Sequence, residues 1–216
     1  MSWRIEHADP LAILRELPDT WAQTCVTNPP PGLRDHTLAV LGEVHRVLRA
    51  DGTLWLLHPE RSLPAELCEH GWQPHPVAWA GPLTRGRTRL WLLTKQPGYF
   101  CETGAIHEYA RLRNTTRLAG RPVHCESCPW QEQRELHPRL RRLCILAGTS
   151  SLACGACGTP WQRDPKRGRR ATCAHNAPGG RCLVLDPFCR SPQTALVAAR
   201  LGRSFLGIDP QAGEQQ

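Results

Sequence analysis

The chain has 216 residues, 40% of them hydrophobic, with 27 Lys and Arg against 19 Asp and Glu, a formal charge of +8 at neutral pH. That length buries one full core and at most a small appended module, and the absence of any apolar run approaching a membrane span excludes a helical membrane protein. The cationic excess favours a polyanionic partner without separating DNA from RNA or an acidic surface. Eleven cysteines, several in C-x2-C pairs behind an N-terminus with no apolar signal core, point to metal binding in a reducing cytoplasm, not to a secreted disulfide scaffold.

Residues Ile5 to Asp19 read as a short strand continued by a helix with Leu11, Leu14 and Leu17 on one side. Thr24 to Gly32, TCVTNPPPG, then runs a strand straight into a row of prolines. Proline has no amide hydrogen and a fixed φ, so Asn28, Pro29 and Pro30 must leave the sheet as a stiff loop with outward carbonyls. His36 to Arg49 is a helix by its apolar spacing, Ala50-Asp51-Gly52 ends it, and Thr53 to Leu57 is a buried strand. A further helix is expected at Leu63 to Trp72, then strands at Val77 to Trp79 and Arg89 to Thr94 joined through Gly81 to Arg87. Trp79 and Trp91 are expected in the core, because strand aromatics usually pack.

Arg111 to Arg121 is rich in arginine and poor in apolar residues, which suits either a solvated loop or contact with a phosphate backbone. Leu136 to Ala147 is a helix leading to Gly148-Thr149-Ser150. The last element, Cys182 to Asp209, reads as a buried strand (Leu183 to Leu185), an acidic corner at Asp186, a tight turn, an amphipathic helix and a second strand, Ser204 to Ile208, closed by Asp209. In such a β-α-β unit small ligands sit outside the strand carboxyl ends, where an acid ending the second strand can accept from a ribose hydroxyl.

Leu185, Asp186, Pro187, Phe188, Ser191 and Thr194, followed by Gly202, Arg203, Phe205, Gly207, Ile208 and Asp209, resemble the line V-L-D-P-F-x-G-S-G-T-T, helix, G-R-x-F-x-G-I-D/E of S-adenosylmethionine-dependent DNA methyltransferases acting on cytosine N4 or adenine N6. Asn28-Pro29-Pro30 resembles the D/N/S-P-P-Y/F/W motif of that family, HADPLAILRELPD its lead-in, and LGEVHRVLRADGTLWLL the helix and strand after the proline loop. The chain departs at Pro31, where the family has an aromatic, and at Arg190 and Pro192, where it has glycines. A Cβ at a position needing positive φ costs on the order of 1 kcal/mol or more, so Arg190 and Pro192 are expected to carry strain, and Arg190 also to fill the methionine pocket.

The resemblance covers nearly the whole chain and implies a single Rossmann-like α/β domain with a mostly parallel sheet in permuted order. Residues 1–150 would carry the proline loop and recognition region, 151–182 a zinc-knuckle insert, and 183–216 the cofactor unit. By the same likeness Asn28 would orient the exocyclic amine of a flipped base, the Pro29 carbonyl would take its second hydrogen bond, and Pro30 would stiffen the loop. Asp186, Phe188, Ser191, Thr194, Asp209 and Asp9 would line the S-adenosylmethionine pocket, with Asp209 on the ribose and Ser150 as a further neighbour. Double-stranded DNA would be the partner, in the cytoplasm of a prokaryote or as a phage product. The alternative is a methyltransferase-derived DNA-binding protein that no longer catalyses, favoured by the three departures and by the chain stopping soon after Asp209.

Cys154, Cys157, Cys173 and His175 form the pattern C-x2-C-x15-C-x-H, with ligand spacing and turn glycines that fit a tetrahedral structural Zn2+. The fourth ligand could instead be Cys182, and Cys125 with Cys128 offers a second pair. Between the ligands Arg163, Lys166, Arg167, Arg169 and Arg170 form a cluster suited to phosphate contact or to a solvated loop.

Overall fold

The protein is described by a computed structural model over residues 3–30, 34–58, 63, 65–76, 89–104, 138–164, 166, 168–175, 177 and 179–210. In chain order its elements are β1 (Trp3–His7), α1 (Pro10–Glu16), β2 (Ala22–Thr27), α2 (Asp35–Val47), β3 (Leu48–His58), α3 (Ala65–Glu69), β4 (Gln73–Pro76) and β5 (Arg89–Thr94). There follow α4 (Pro138–Gly148), β6 (Gln162–Asp164), β7 (Gly168–Arg170), β8 (Leu183–Asp186), α5 (Gln193–Arg200) and β9 (Ser204–Asp209).

Seven strands form one sheet in the order β1-β9-β8-β2-β3-β5-β4, parallel from β1 through β3 and antiparallel at β5 and β4. Side chains alternate across a strand, and the apolar runs therefore feed two layers. Cys25, Leu54, Leu56, Leu93, Leu185, Leu206 and Ile208 pack with Leu14, Val40, Leu41 and Val44 of α1 and α2. Val26, Trp55, Leu57, Leu92, Val184 and Phe205 face Leu140, Cys144, Ile145, Ala195 and Ala198 of α4 and α5. Strands buried on both faces read as continuous hydrophobic runs, as parallel strands do.

One boundary differs from the sequence expectation. The turn expected at Ala50-Asp51-Gly52 lies inside β3: Ala22 pairs with Leu48 but Thr24 with Thr53, so the intervening residues bulge out of the ladder. Among the described residues the strand paired with the outer side of β5 is Gln73–Pro76, and its Pro74 is tolerated because no described strand lies beyond β4. The expected strand at 77–79, the recognition region at 111–121, Pro31, Trp79, Cys125 and Cys128 lie outside the described residues. Trp91 is half-buried against the α1/α2 layer, as expected of a packing residue.

Helix α4 runs against the strand direction: Arg141 near its start acts on the Asp186 carboxylate at the end of β8, while Gly148 at its end rests on Thr24 and Thr53. A Cβ on Gly148 would come within 2.4 Å of Thr24 Oγ1 and 2.5 Å of Thr53 Oγ1, two hydroxyls that bond each other at 2.9 Å. Both are buried, β-branched and unable to swing aside. Gly148→Ala should therefore lower stability by about 1–3 kcal/mol, the usual cost of overpacking. An unchanged urea midpoint would contradict this close approach.

Candidate functional site

The chain leaves β8 toward β9 on one side and β2 toward β3 on the other, so the carboxyl ends of β8 and β2 form a topological switch point, where open α/β sheets bind ligands. There the Thr27 hydroxyl donates to Asp186 Oδ1 at 2.7 Å across 159 residues of sequence. Thr194 Oγ1 donates to Oδ2 at 3.1 Å from the first turn of α5, and the Phe188 amide to Oδ1 at 3.3 Å. Asp186 thus ties β2, β8, the following turn and α5 together. Burial pushes its carboxyl up to about 6, against the opposing pull of the Thr27 hydroxyl, the Arg141 charge and the Thr194 hydroxyl.

An acid whose pKa rises on folding binds its proton more tightly in the native state, so its contribution to stability falls as pH rises from the unfolded value near 4 to about 6. At about 1.4 kcal/mol per unit this amounts to roughly 3 kcal/mol. Urea melts of the wild type minus those of Asp186→Asn should show this decline between those pH values; parallel curves would mean that Asp186 is ionised at no cost.

Asn28 follows Thr27 directly and is half-buried, with Pro29 buried and Pro30 half-buried after it. At the end of β9, Asp209 keeps 21% of its side chain exposed and lies opposite His7 of β1, whose Nδ1 is 3.5 Å from Asp209 Oδ2. Asp9 caps α1, accepting the Ala12 amide at 3.1 Å, and its other oxygen is 3.2 Å from His36 Nε2. Neither histidine was singled out from the sequence; His7 becomes visible once β1 is known to lie beside β9.

The turn after β8 is pinned across β9 by the Cys189 amide, which donates to the Ile208 carbonyl at 2.8 Å. Gly207 makes room for it, since a Cβ there would meet Cys189 Sγ and the Phe205 ring at 2.7 Å. Phe188 is buried in the core on the α1/α2 side, Thr194 is buried on Asp186, and Ser191 is half-buried with its carbonyl 3.3 Å from Cys189 Sγ. Arg190 and Pro192 correct an expectation. Among the described residues Thr20 is the one non-glycine with positive φ, Pro192 has φ −71° as the N-cap of α5, and Arg190 is exposed. The turn is therefore built without the left-handed residues that would demand glycine.

Ser150 requires a second correction. Because α4 runs back along the sheet, its end delivers Thr149 and Ser150 to the amino ends of the strands, opposite Asn28 and Asp209. Both are buried there: the Thr149 hydroxyl accepts from Arg203 Nε at 2.9 Å, and the Ser150 amide donates to Cys182.

The same topology places the cysteine insert at that opposite edge. Cys154, Cys157, Cys173 and His175 bring their ligand atoms within 4.8 Å of one another. Thiolates around a tetrahedral Zn2+ at about 2.3 Å stand about 3.8 Å apart, so the donor set fits zinc. Amides of Cys157 and Ala156 donate to Cys154, and the His175 amide to Cys173. The Thr159 hydroxyl and amide hold the Cys157 thiol down to about 7. Cys182 stands apart from this group, buried at the start of β8 with its thiol pushed up to about 11 by burial. Of the two fourth ligands left open by the sequence, the geometry groups His175.

The knuckle is tied to the sheet by two side chains. Gln23 of β2 donates to the Gly158 carbonyl at 2.8 Å and accepts the Leu183 amide. Arg49 of β3 donates to the Cys157 carbonyl at 2.5 Å and to Thr159 Oγ1 at 3.0 Å. Of the basic cluster, Arg169 is committed to an ion pair with buried Glu102, while Lys166 and Arg170 are exposed.

No protein-family model matches the chain, and no curated protein does. Solved structures do. A putative DNA modification methylase of Thermus thermophilus, TTHA0409, superposes with a TM-score of 0.57 at 16% identity over 96% of this chain and 89% of that one. The same protein complexed with S-adenosyl-L-methionine gives 0.55 at 15%. The PvuII DNA methyltransferase (cytosine-N4-specific) gives 0.57 at 13% identity over 97% of this chain and 82% of that one. M1.HpyAVI gives 0.52 at 17% identity over 96% and 91%. At these identities the likeness establishes the fold: an α/β, Rossmann-like methyltransferase fold with a mostly parallel sheet.

Proposed function

We propose that the chain transfers a methyl group from S-adenosylmethionine to the exocyclic amine of adenine (N6) or cytosine (N4) in double-stranded DNA. The observation that carries this reading is the 2.7 Å bond from Thr27 to Asp186, which puts the Asn28-Pro29-Pro30 loop beside the turn that follows β8. The residues present suit the cofactor. Asp209, partly exposed at the end of β9, is an acceptor for ribose hydroxyls. The turn through Phe188 and Ser191, held by Asp186 and Thr194, forms the adjoining wall, and Asp9 lies one strand further along.

When bound, S-adenosylmethionine would supply a methyl group on a positively charged sulfur, which leaves as a neutral thioether as the amine nitrogen takes the methyl, the surplus proton of the methylated amine then passing to solvent. The chain's part is positioning. The Asn28 side-chain oxygen and the Pro29 carbonyl accept the two amine hydrogens, turning the nitrogen lone pair out of the base plane. Proline at Pro29 and Pro30 fixes φ, so these acceptors need little ordering when the base arrives. No covalent enzyme intermediate is required.

Cys154, Cys157, Cys173 and His175 would hold a structural Zn2+: these residues lie at the amino ends of the strands, away from Asn28, and methyl transfer from a sulfonium needs no metal-bound water. The test is incorporation of a labelled methyl group into mixed-sequence unmethylated DNA, followed by hydrolysis to nucleosides to identify the base. Cofactor and DNA binding without incorporation would instead support a methyltransferase-derived DNA-binding protein.

A further inference from the structure

β1 closes the sheet on the side of β9, so among the described residues its outer edge has no strand neighbour. Such an edge presents unpaired amides and carbonyls, which proteins usually block with bulges, proline or lysine. β1, Trp-Arg-Ile-Glu-His, has no bulge, proline or lysine, and its register with β9 runs unbroken from Trp3↔Phe205 to His7↔Asp209. It is short, and the charges it does carry, Arg4 and Glu6, are of opposite sign and so select a partner strand rather than repel every one. It also carries Trp3, which is 53% exposed.

We propose that β1 joins two copies of this chain as a homodimer, pairing antiparallel with itself about a two-fold axis through Ile5. The argument is in the charges. Arg4 and Glu6 share one face of the strand, with Arg4 Nε 3.3 Å from Glu6 Oε1 and side chains 58% and 38% exposed. Across a two-fold at Ile5, Arg4 of each copy stands opposite Glu6 of the other, giving two favourable cross-strand pairs. Slipping the register by two residues one way sets Arg4 against Arg4; slipping it the other way sets Glu6 against Glu6. Pairing the strands parallel in register sets like charges together throughout. One alignment satisfies the edge, and the same charges oppose its neighbours.

On the other face that alignment sets exposed Trp3 of one copy opposite His7 of the other, covering indole surface that the monomer leaves in water. The partner strands run in opposite directions, so the two candidate sites open at opposite ends of a continuous sheet. This inference is independent of the methyl-transfer reading. Five residues a side make a small interface, in the class of weak and reversible contacts.

The test is sedimentation of the full chain over roughly 1 to 200 µM, the range in which a contact of micromolar affinity dissociates. Wild type should pass from monomer to dimer, whereas Arg4→Glu and Glu6→Arg should each remain monomeric. Mixed together, the two variants should associate, because all four facing charges are then opposite; the double variant Arg4→Glu/Glu6→Arg should dimerise alone. A wild type that is monomeric throughout, single variants that still dimerise, or variants that stay apart on mixing would each overturn the proposal. Hydrogen exchange on the wild type gives an independent reading: β1 amides should become protected as concentration rises, and protection independent of concentration would count against the dimer.

Discussion

Asn28→Ala is expected to lower methyl transfer by roughly 10²- to 10³-fold, the loss found when a polar group aimed at developing transition-state charge is removed. Asn28 follows the last residue of β2, Thr27, whose hydroxyl is anchored to Asp186. As the amine nitrogen attacks, its hydrogens become more acidic, and an acceptor facing them stabilises the transition state more than the ground state. The effect should therefore fall on kcat, with cofactor affinity unchanged, since Asp209, the proposed ribose acceptor, lies two strands away on β9. Asn28→Asp keeps the acceptor oxygen and should retain more activity than Asn28→Ala. Equal losses in the two variants, or a loss confined to cofactor affinity, would remove Asn28 from the reacting centre.

Much of this site was legible from local pattern. The proline loop, the acidic corner at Asp186 and the terminal acid Asp209 each announce themselves within a few residues, because proline, buried acids at strand ends and β-α-β rhythm carry local signatures. Which strands are neighbours is a long-range property. The Thr27–Asp186 bond spans 159 residues; resemblance to a known strand order implies that the two motifs meet, but nothing in the sequence singles out Thr27. His7 and His36 were missed for the same reason: exposed histidines near acids acquire meaning only when the elements bearing them are packed together.

Two expectations failed for identifiable physical causes. Strain was expected at Arg190 and Pro192 because family glycines were assumed to need positive φ, but this turn uses ordinary backbone angles and relies on Gly207 across the way for clearance. The expectation for Ser150 rests on the likeness of its segment to the helix and loop that precede the cofactor motif in the family. The direction of α4 should have decided instead, because a helix feeding a parallel strand must end at that strand's amino terminus. Applied to 151–182, the same rule puts the Cys/His cluster and its basic hairpin at the amino ends of the strands, away from Asn28.

Removing the metal should therefore act on stability before it acts on chemistry. A ligand held at about a thousand times its Kd stabilises the fold by about 4 kcal/mol, which for a chain of this size corresponds to roughly 8–16 °C in Tm. Chelation or Cys173→Ser should produce a fall of that order, and added zinc should reverse the first but not the second. The knuckle cannot loosen alone, because Gln23 links Gly158 to Leu183 and Arg49 holds both the Cys157 carbonyl and Thr159. Its loss should raise hydrogen exchange at the starts of β2 and β8, with the Asp186 end affected less. Arg49 supports the Thr159 hydroxyl that faces Cys157 Sγ at 3.1 Å, so Arg49→Ala should weaken zinc binding by about 10- to 100-fold in competition with a chromogenic chelator, the range for groups that orient metal ligands. Cys68, exposed on α3 and outside the cluster, is the control: Cys68→Ser should change neither Tm nor zinc affinity. A chelated protein that melts with the untreated one would show that 151–182 folds on its hydrogen bonds alone.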